Sequence, residues 1–405
     1  MLDRDSGMYV VVAHDDLLAI AGIAAQSPTI GSFIHEIGLY LSRPPLSVER
    51  IFVSLQTLHP AFRARTYLWK NREPEIRIVE WPHGLKNRPG YYDSPDYHVH
   101  TSRAEFRVPT LREVHGHSCE LYGKLRDAGY TDYLMVPLVF TDDTVNTLSV
   151  ATRQPGGFPE EGLVWFRELV DVITIAIERY SALETVSVTL GTYLGRGASR
   201  EVMRGRIRAG HGEMIQAGIL FADMHGFSCH ASCLGPSGTV QLLNSYFDCL
   251  VGPIEEKGGN ILKFIGDAVL AYFPAPTGQP DPDPIGAVRA IQERLADLNQ
   301  MRYAKGEPVV RHGVGLHFGE VLFGNIGSSE RLDFTIIGEA VNLAARCAEQ
   351  TRSLDIDYIG TGEFVTRFGT DLFAPLGRHQ LRGIAEPVAL FGFASDARRR
   401  VAPAA

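Results

Sequence analysis

Gly218-Ile219-Leu220-Phe221-Ala222-Asp223-Met224-His225-Gly226-Phe227-Ser228 and, further on, Ile261-Leu262-Lys263-Phe264-Ile265-Gly266-Asp267-Ala268-Val269-Leu270-Ala271-Tyr272-Phe273 share one pattern. Each is an apolar run of strand type that reaches an aspartate with a glycine close by. A buried strand delivers a carboxylate to its tip, and the glycine lets a ligand approach the backbone. Two such tips can set Asp223 and Asp267 side by side, and paired carboxylates suit a hard cation such as Mg²⁺, with substrate phosphates completing its shell. Either aspartate alone reads equally well as a turn residue. Together with the residues downstream, the metal reading prevails.

Working outward, Met224-His225-Gly226-Phe227-Ser228 follows the first aspartate, and the backbone N–H groups around Gly226 and Phe227 can open onto phosphate at a helix start. Leu242, Leu243, Tyr246, Phe247 and Leu250 then give an apolar helix face that ends near Gly258-Gly259. Lys263 lies on the second strand, and Ala268 to Phe273 returns as its partner, so Asp267 sits at a hairpin tip. A polar Pro/Gly loop, Pro274 to Pro284, precedes a helix to about Tyr303. A strand over Val310 to Phe318 leads into Gly319-Glu320-Val321-Leu322-Phe323-Gly324-Asn325-Ile326-Gly327. After it comes Asp333-Phe334-Thr335-Ile336-Ile337-Gly338-Glu339-Ala340-Val341-Asn342-Leu343-Ala344-Ala345-Arg346. Asn342 and Arg346 are four apart in a helical stretch and share a face. An amide and a guanidinium there suit a ribose and a charged phosphorus centre, although as a pair by themselves they read as a surface hydrogen bond.

The 405 residues allow two or three domains, each able to bury a core. A net charge of -8 argues against a general nucleic-acid surface, which needs clustered Lys and Arg. The basic run Arg398-Arg399-Arg400 lies in a terminal tail. Five scattered cysteines (Cys119, Cys229, Cys233, Cys249, Cys347) suit a reducing compartment. Cys229 and Cys233, with His225 and His230, suggest zinc, but no second ligand pair at zinc spacing follows. The start lacks a basic region before an apolar core, so no signal peptide is expected. No apolar run approaches the ~18 residues of a spanning helix. The expectation is a cytoplasmic protein.

Residues 1–28 read as an acidic segment followed by a short helix. Ile30, Phe33, Ile34, Ile37 and Leu41 recur at helical spacing. Strand-like runs follow at Arg50 to Leu58, Arg65 to Trp69 and Ile76 to Trp81, then a loop from Pro82 to about Thr101. Further strands are expected over Asp132 to Phe140 and Thr147 to Thr152, with Asp142-Asp143 in the turn between them, and a helix from near Pro159 towards Ala182. This is an α+β order and resembles a GAF-type sensor domain over 29–182. That resemblance implies a small-molecule ligand under the long loop, with Tyr91, Tyr92, Tyr97, His98 and His100 as candidates; aromatic packing within the loop is the plainer reading. Residues 183–212 read as a helical linker broken at Gly191, Gly195 and Gly197, either transmitting motion or serving as a spacer that pairs two chains.

Residues from about 213 to 393 resemble the class III nucleotide cyclase domain of adenylate and guanylate cyclases. Phe-Ala-Asp-Met-His-Gly-Phe-Ser, Lys-Phe-Ile-Gly-Asp and Val-Asn-Leu-Ala-Ala-Arg stand in that family's order and spacing. The resemblance implies a catalytic domain over 213–395, before a tail at 396–405. It also implies an α+β fold, a ferredoxin-like core acting as a homodimer with two sites at the interface, preceded by the GAF-like sensor domain. By position, Asp223 and Asp267 match the metal-binding aspartates, which hold two Mg²⁺ ions, Mn²⁺ being a substitute. One ion would acidify the ribose 3′-hydroxyl and the other hold the triphosphate. Asn342 matches the ribose-orienting residue and Arg346 the one that stabilises charge on the α-phosphoryl group. Arg382 falls where the family has a basic residue for the terminal phosphates.

Lys263 is a donor only, and adenine offers it the N1 acceptor. Thr335, where many relatives have aspartate, can accept from the adenine amino group. Guanylate cyclases of the family usually carry glutamate and cysteine at these places, so the resemblance favours ATP. Cyclic GMP synthesis and a nucleotide-binding module without turnover are the alternatives. A diguanylate cyclase is excluded, because Gly-Gly-Asp-Glu-Phe is absent.

Overall fold

Alternating and helical apolar patterns build two compact units, Met1–Thr189 and Leu190–Ala405. The structure, a computed structural model, describes residues 14–84, 90–111, 120–275, 281–369 and 371–393. Cys119 and the Arg398-Arg399-Arg400 run lie outside the described residues, as do part of the loop beginning at Pro82 and part of the loop beginning at Pro274.

The first unit opens with α1 (His14–Gln26) and α2 (Ile30–Leu41). Thr29 and Ser32 form a reciprocal capping box at the start of α2, satisfying backbone donors that a helix end leaves bare. Ile30, Phe33, Ile34, Ile37 and Leu41 are all buried, as their spacing requires. Strands β1 (Arg50–Gln56), β2 (Ala64–Lys70) and β3 (Arg77–Trp81) follow, then α3 (Pro95–Ser102), β4 (Phe106–Val108), α4 (Glu120–Asp127), β5 (Asp132–Val139) and β6 (Val145–Thr152). The six strands form one antiparallel sheet in the order β3-β2-β1-β6-β5-β4.

Ile51, Val53 and Leu55 of β1 enter the same core as α2 and the first part of α5 (Glu160–Met203). The segment read as one loop to Thr101 contains α3. Ser94 caps it through Tyr97 N–H and Pro95 occupies its first turn, a start signal hidden by the surrounding Tyr and His residues. In the second unit's part of α5, Gly195 leaves the helical region at φ 79°, ψ 160°, whereas Gly191 and Gly197 stay helical, so of the three expected breaks only the one at Gly195 is found.

The second unit runs through β7 (Gly212–Met224), α6 (Phe227–Glu256), β8 (Asn260–Ile265), β9 (Ala268–Pro274), α7 (Pro284–Ala304), β10 (His312–Gly327), β11 (Leu332–Ile337), α8 (Glu339–Leu354), β12 (Tyr358–Thr361), α9 (Gly362–Phe368), β13 (Phe373–His379) and β14 (Val388–Phe393). Its sheet has the order β13-β14-β12-β10-β7-β9-β8, with β11 paired to β10. The central β10-β7-β9-β8 arrangement, with α6 and α7 as the connections, is the expected ferredoxin-like core. Leu220, Ala222, Tyr246, Leu250, Val288 and Ile291 fill the space between the sheet and the α6–α7 pair. On the opposite face α8 lies close to the sheet, because Ala344 meets Gly315 there: a Cβ on Gly315 would stand 1.9 Å from the Ala344 carbonyl oxygen.

The strand expected over Val310 to Phe318 begins at His312 and continues to Gly327, since it pairs with β7 from Met224 back to Gly212 and with β11 beyond. Among the described residues no helix is long and apolar enough to cross a membrane.

Candidate active site

Asp223 is the next-to-last residue of β7, paired across to Gly313 of β10. Asp267 occupies the second position of a two-residue turn between β8 and β9, whose first position, Gly266, has φ 64°. Glycine there gives the primed-type turn that matches strand twist. The two carboxylates stand beside each other. Burial and the charge of Asp267 hold the Asp223 carboxyl above the ordinary range, and Arg352 offsets part of that by donating to its Oδ2 and to the Met224 carbonyl oxygen.

Beneath the pair runs a buried chain. Tyr246 Oη meets His312 Nδ1 at 3.2 Å, and His312 Nε2 meets Tyr358 Oη at 2.7 Å. Burial pushes His312 down to about 3, so the imidazole is neutral at ordinary pH. His225 is held below its usual range by burial and by the Arg352 and Arg311 charges, and it contacts Thr351 Oγ1 at 3.1 Å.

The carboxylate pair fits a hard divalent cation. Both groups only accept when ionised, and their mutual repulsion is what a metal would relieve. Among the described residues no group of three or more His, Cys, Asp and Glu could hold a metal. Cys229 and Cys233 are exposed free thiols, and Cys249 and Cys347 are buried free thiols. None belongs to such a group.

Helix α6 starts at Phe227 behind Gly226, whose φ of 71° turns the chain, and no side chain caps it. Cys229 N–H already donates to the Gly226 carbonyl oxygen at 3.0 Å, so an anion at this helix start would be met by the Phe227 and Ser228 N–H groups. On the other side of the hairpin, a register shift between Ile261 and Lys263 marks a bulge that sets the direction of Lys263. Lys263 is ion-paired with Asp333 of β11. Asp333 and Thr335 are two apart on that strand and share a face, with Thr335 buried. Thus the structure brings Lys263 and Thr335 to one place, together with Asp333, a residue the sequence reading passed over.

Asn342 and Arg346 lie on α8, where Asn342 is exposed and Arg346 pairs with Glu349 one turn on. Within this chain the arginine at Asp223 is Arg352, which sequence reasoning also missed. Arg382 is exposed in the turn closed by Ile384 N–H on the Leu381 carbonyl, with Gly383 at φ 80°.

Residues 211–383 match the family model described as the adenylate and guanylate cyclase catalytic domain. An uncharacterized protein of Mycobacterium tuberculosis is 34% identical over 212 residues, covering 51% of this chain and 38% of that one. The chain therefore spans well under two thirds of the length of that curated relative. Among solved structures, a bacterial light-regulated adenylyl cyclase is 28% identical at a TM-score of 0.45, covering 53% of this chain and 63% of that one. A guanylyl cyclase is 31% identical at a TM-score of 0.39, covering 45% and 93%.

Proposed function

We propose that this protein, whose residues 211–383 form a catalytic domain of the adenylate and guanylate cyclase family, is an adenylate cyclase that converts ATP to 3′,5′-cyclic AMP and pyrophosphate. The observation that carries the reading is the Asp223–Asp267 carboxylate pair at adjoining strand tips. Divalent ions held there, Mg²⁺ or Mn²⁺, would supply the charge that acidifies the ribose 3′-hydroxyl and grips the triphosphate. The 3′-oxygen forms its bond to the α-phosphorus as the bond from that phosphorus to the bridging oxygen breaks; pyrophosphate carries away the electron pair, and the hydroxyl proton passes to solvent water.

The side chains divide the remaining work. Asn342 orients the ribose and Arg346 faces the negative charge gathering on the α-phosphoryl oxygens. The Gly226–Phe227 backbone and Arg382 take the phosphates. Lys263 donates to adenine N1, and the Thr335 hydroxyl accepts from the amino group. In one chain Arg346 is occupied by Glu349 while Arg352 holds Asp223. This supports a homodimer in which each site joins the aspartates of one copy to the base- and ribose-binding residues of the other. The first unit would act as a GAF-like sensor, which its antiparallel sheet and cavity support.

The test is turnover by purified protein with Mg²⁺ or Mn²⁺, given ATP and GTP separately. Cyclic AMP from ATP, lost in Asp223→Ala and Asp267→Ala variants that still fold, is the expected result. Preference for GTP would make the protein a guanylate cyclase. Tight nucleotide binding without product would make it a regulatory module.

A further inference from the structure

The two faces of the first unit's sheet are built differently. Ile51, Val53 and Leu55 of β1 enter the core, whereas Phe52, Ser54 and Gln56 face a cavity of about 610 Å³. Phe52, Trp81 and Tyr91 give that cavity aromatic walls, and Asp96 reaches it from the first turn of α3. Of the five residues singled out in the loop sequence, Tyr91 and His100 line it. Tyr92 and Tyr97 pack edge-on against Tyr91, and His98 packs against Phe106.

Asp96 is the unusual member. Its carboxylate accepts a hydrogen bond from Thr147 Oγ1 at 2.7 Å, with His100 as the basic side chain acting on it most strongly and Arg50 next. Asp96 is half-buried, and its withdrawal from water holds its carboxyl above the ordinary range, while the Thr147 hydrogen bond, His100 and Arg50 offset only part of that cost. The other cavity carboxylate, Asp143, is already gripped by both terminal nitrogens of Arg103 at 2.8 Å. A buried carboxylate is costly unless a cation meets it, and aromatic faces attract cations as well. Arg63, also on the cavity wall, suits a carbonyl or anionic substituent at a ligand's other end.

We propose that this cavity binds a small organic amine, a primary or secondary ammonium that donates to Asp96 while an apolar or aromatic body lies between Phe52, Trp81 and Tyr91. The proposal deepens the sensor reading of the first unit and does not depend on catalysis. Its readout is therefore binding: failure here leaves the cyclase assignment standing, and the reverse.

The experiment uses the full chain, with 2-phenylethylamine as probe and 3-phenylpropionate as its anionic counterpart, followed by calorimetry and tryptophan fluorescence. The amine should bind saturably, and the carboxylate should bind roughly tenfold more weakly or worse. Asp96→Asn should weaken the amine by a similar factor, and Asp143→Asn should not. Ser54→Phe, which fills the cavity without altering Asp96, should abolish binding and serves if Asp96→Asn fails to fold. Absence of saturable amine binding at millimolar concentration, equal binding of the two probes, or undiminished binding in folded Asp96→Asn would each overturn the proposal.

Discussion

Lys263 on β8 is ion-paired with Asp333 on β11, an exposed carboxylate two residues before the buried Thr335. The cation proposed to read adenine is thus held by a carboxylate from a strand seventy positions along the chain. Any attempt to change base preference must reckon with that partner.

Lys263→Glu with Thr335→Cys places a second carboxylate opposite Asp333, so turnover of both nucleotides should fall. Adding Asp333→Asn removes the repulsion and should restore turnover with GTP favoured. The ATP to GTP ratio of kcat/KM should drop roughly ten- to a hundredfold, the worth of a satisfied polar contact in a buried site. A ratio that does not move in the triple variant means that the base is read elsewhere.

Asp223→Ala and Arg346→Ala should each be inactive alone, and mixing them should restore part of the activity. In the mixed dimer one of the two sites receives both intact halves. Co-purification of differently tagged chains would show that heterodimers form. If they form and the mixture stays inactive, the shared-site geometry is wrong.

His312 is buried between Tyr246 and Tyr358 and is pushed down from 6.5 to about 3, burial being the main cause and the His225 charge a lesser one. Between those two values the unfolded chain binds a proton that the folded chain does not. Stability should therefore fall as pH drops through that window, by up to about 1.4 kcal/mol per pH unit from this group. Urea denaturation of the wild type and of His312→Gln across the window checks this. The variant should show a slope shallower by up to one proton, and identical slopes would mean that the imidazole is not kept neutral.

Gly195→Ala should destabilise the second unit by about 1–3 kcal/mol. The backbone there has φ 79°, and an added Cβ would stand 2.3 Å from the Ile261 carbonyl oxygen of β8, which cannot move without breaking the strand. Thermal denaturation should show a lowered Tm. An unchanged Tm would mean that the break at Gly195 is not rigidly seated. Gly191→Ala is the control, since a Cβ there meets nothing within 4 Å.

What the sequence determined by itself was whatever depends on near neighbours. The spacing of Ile30, Phe33, Ile34, Ile37 and Leu41 marks α2, because a helix repeats its buried face every three to four residues. Gly266-Asp267 between two apolar runs marks a hairpin, because a two-residue loop needs a positive φ at its first position. From these, and from the resemblance of its motifs, came the carboxylate pair, the Asn342–Arg346 helix and the ferredoxin-like core. Only the tertiary structure decided the pairings between distant segments. Arg352 meets Asp223, Asp333 meets Lys263 and His312 joins two tyrosines because the order β10-β7-β9-β8 and the seat of α8 bring those positions together. The cavity around Asp96 has the same origin: Phe52, Trp81 and Asp96 come from separate elements, and their shared space exists only once the sheet has closed. Local periodicity records which face of an element is buried, whereas which other element lies against that face is settled by sheet order and register.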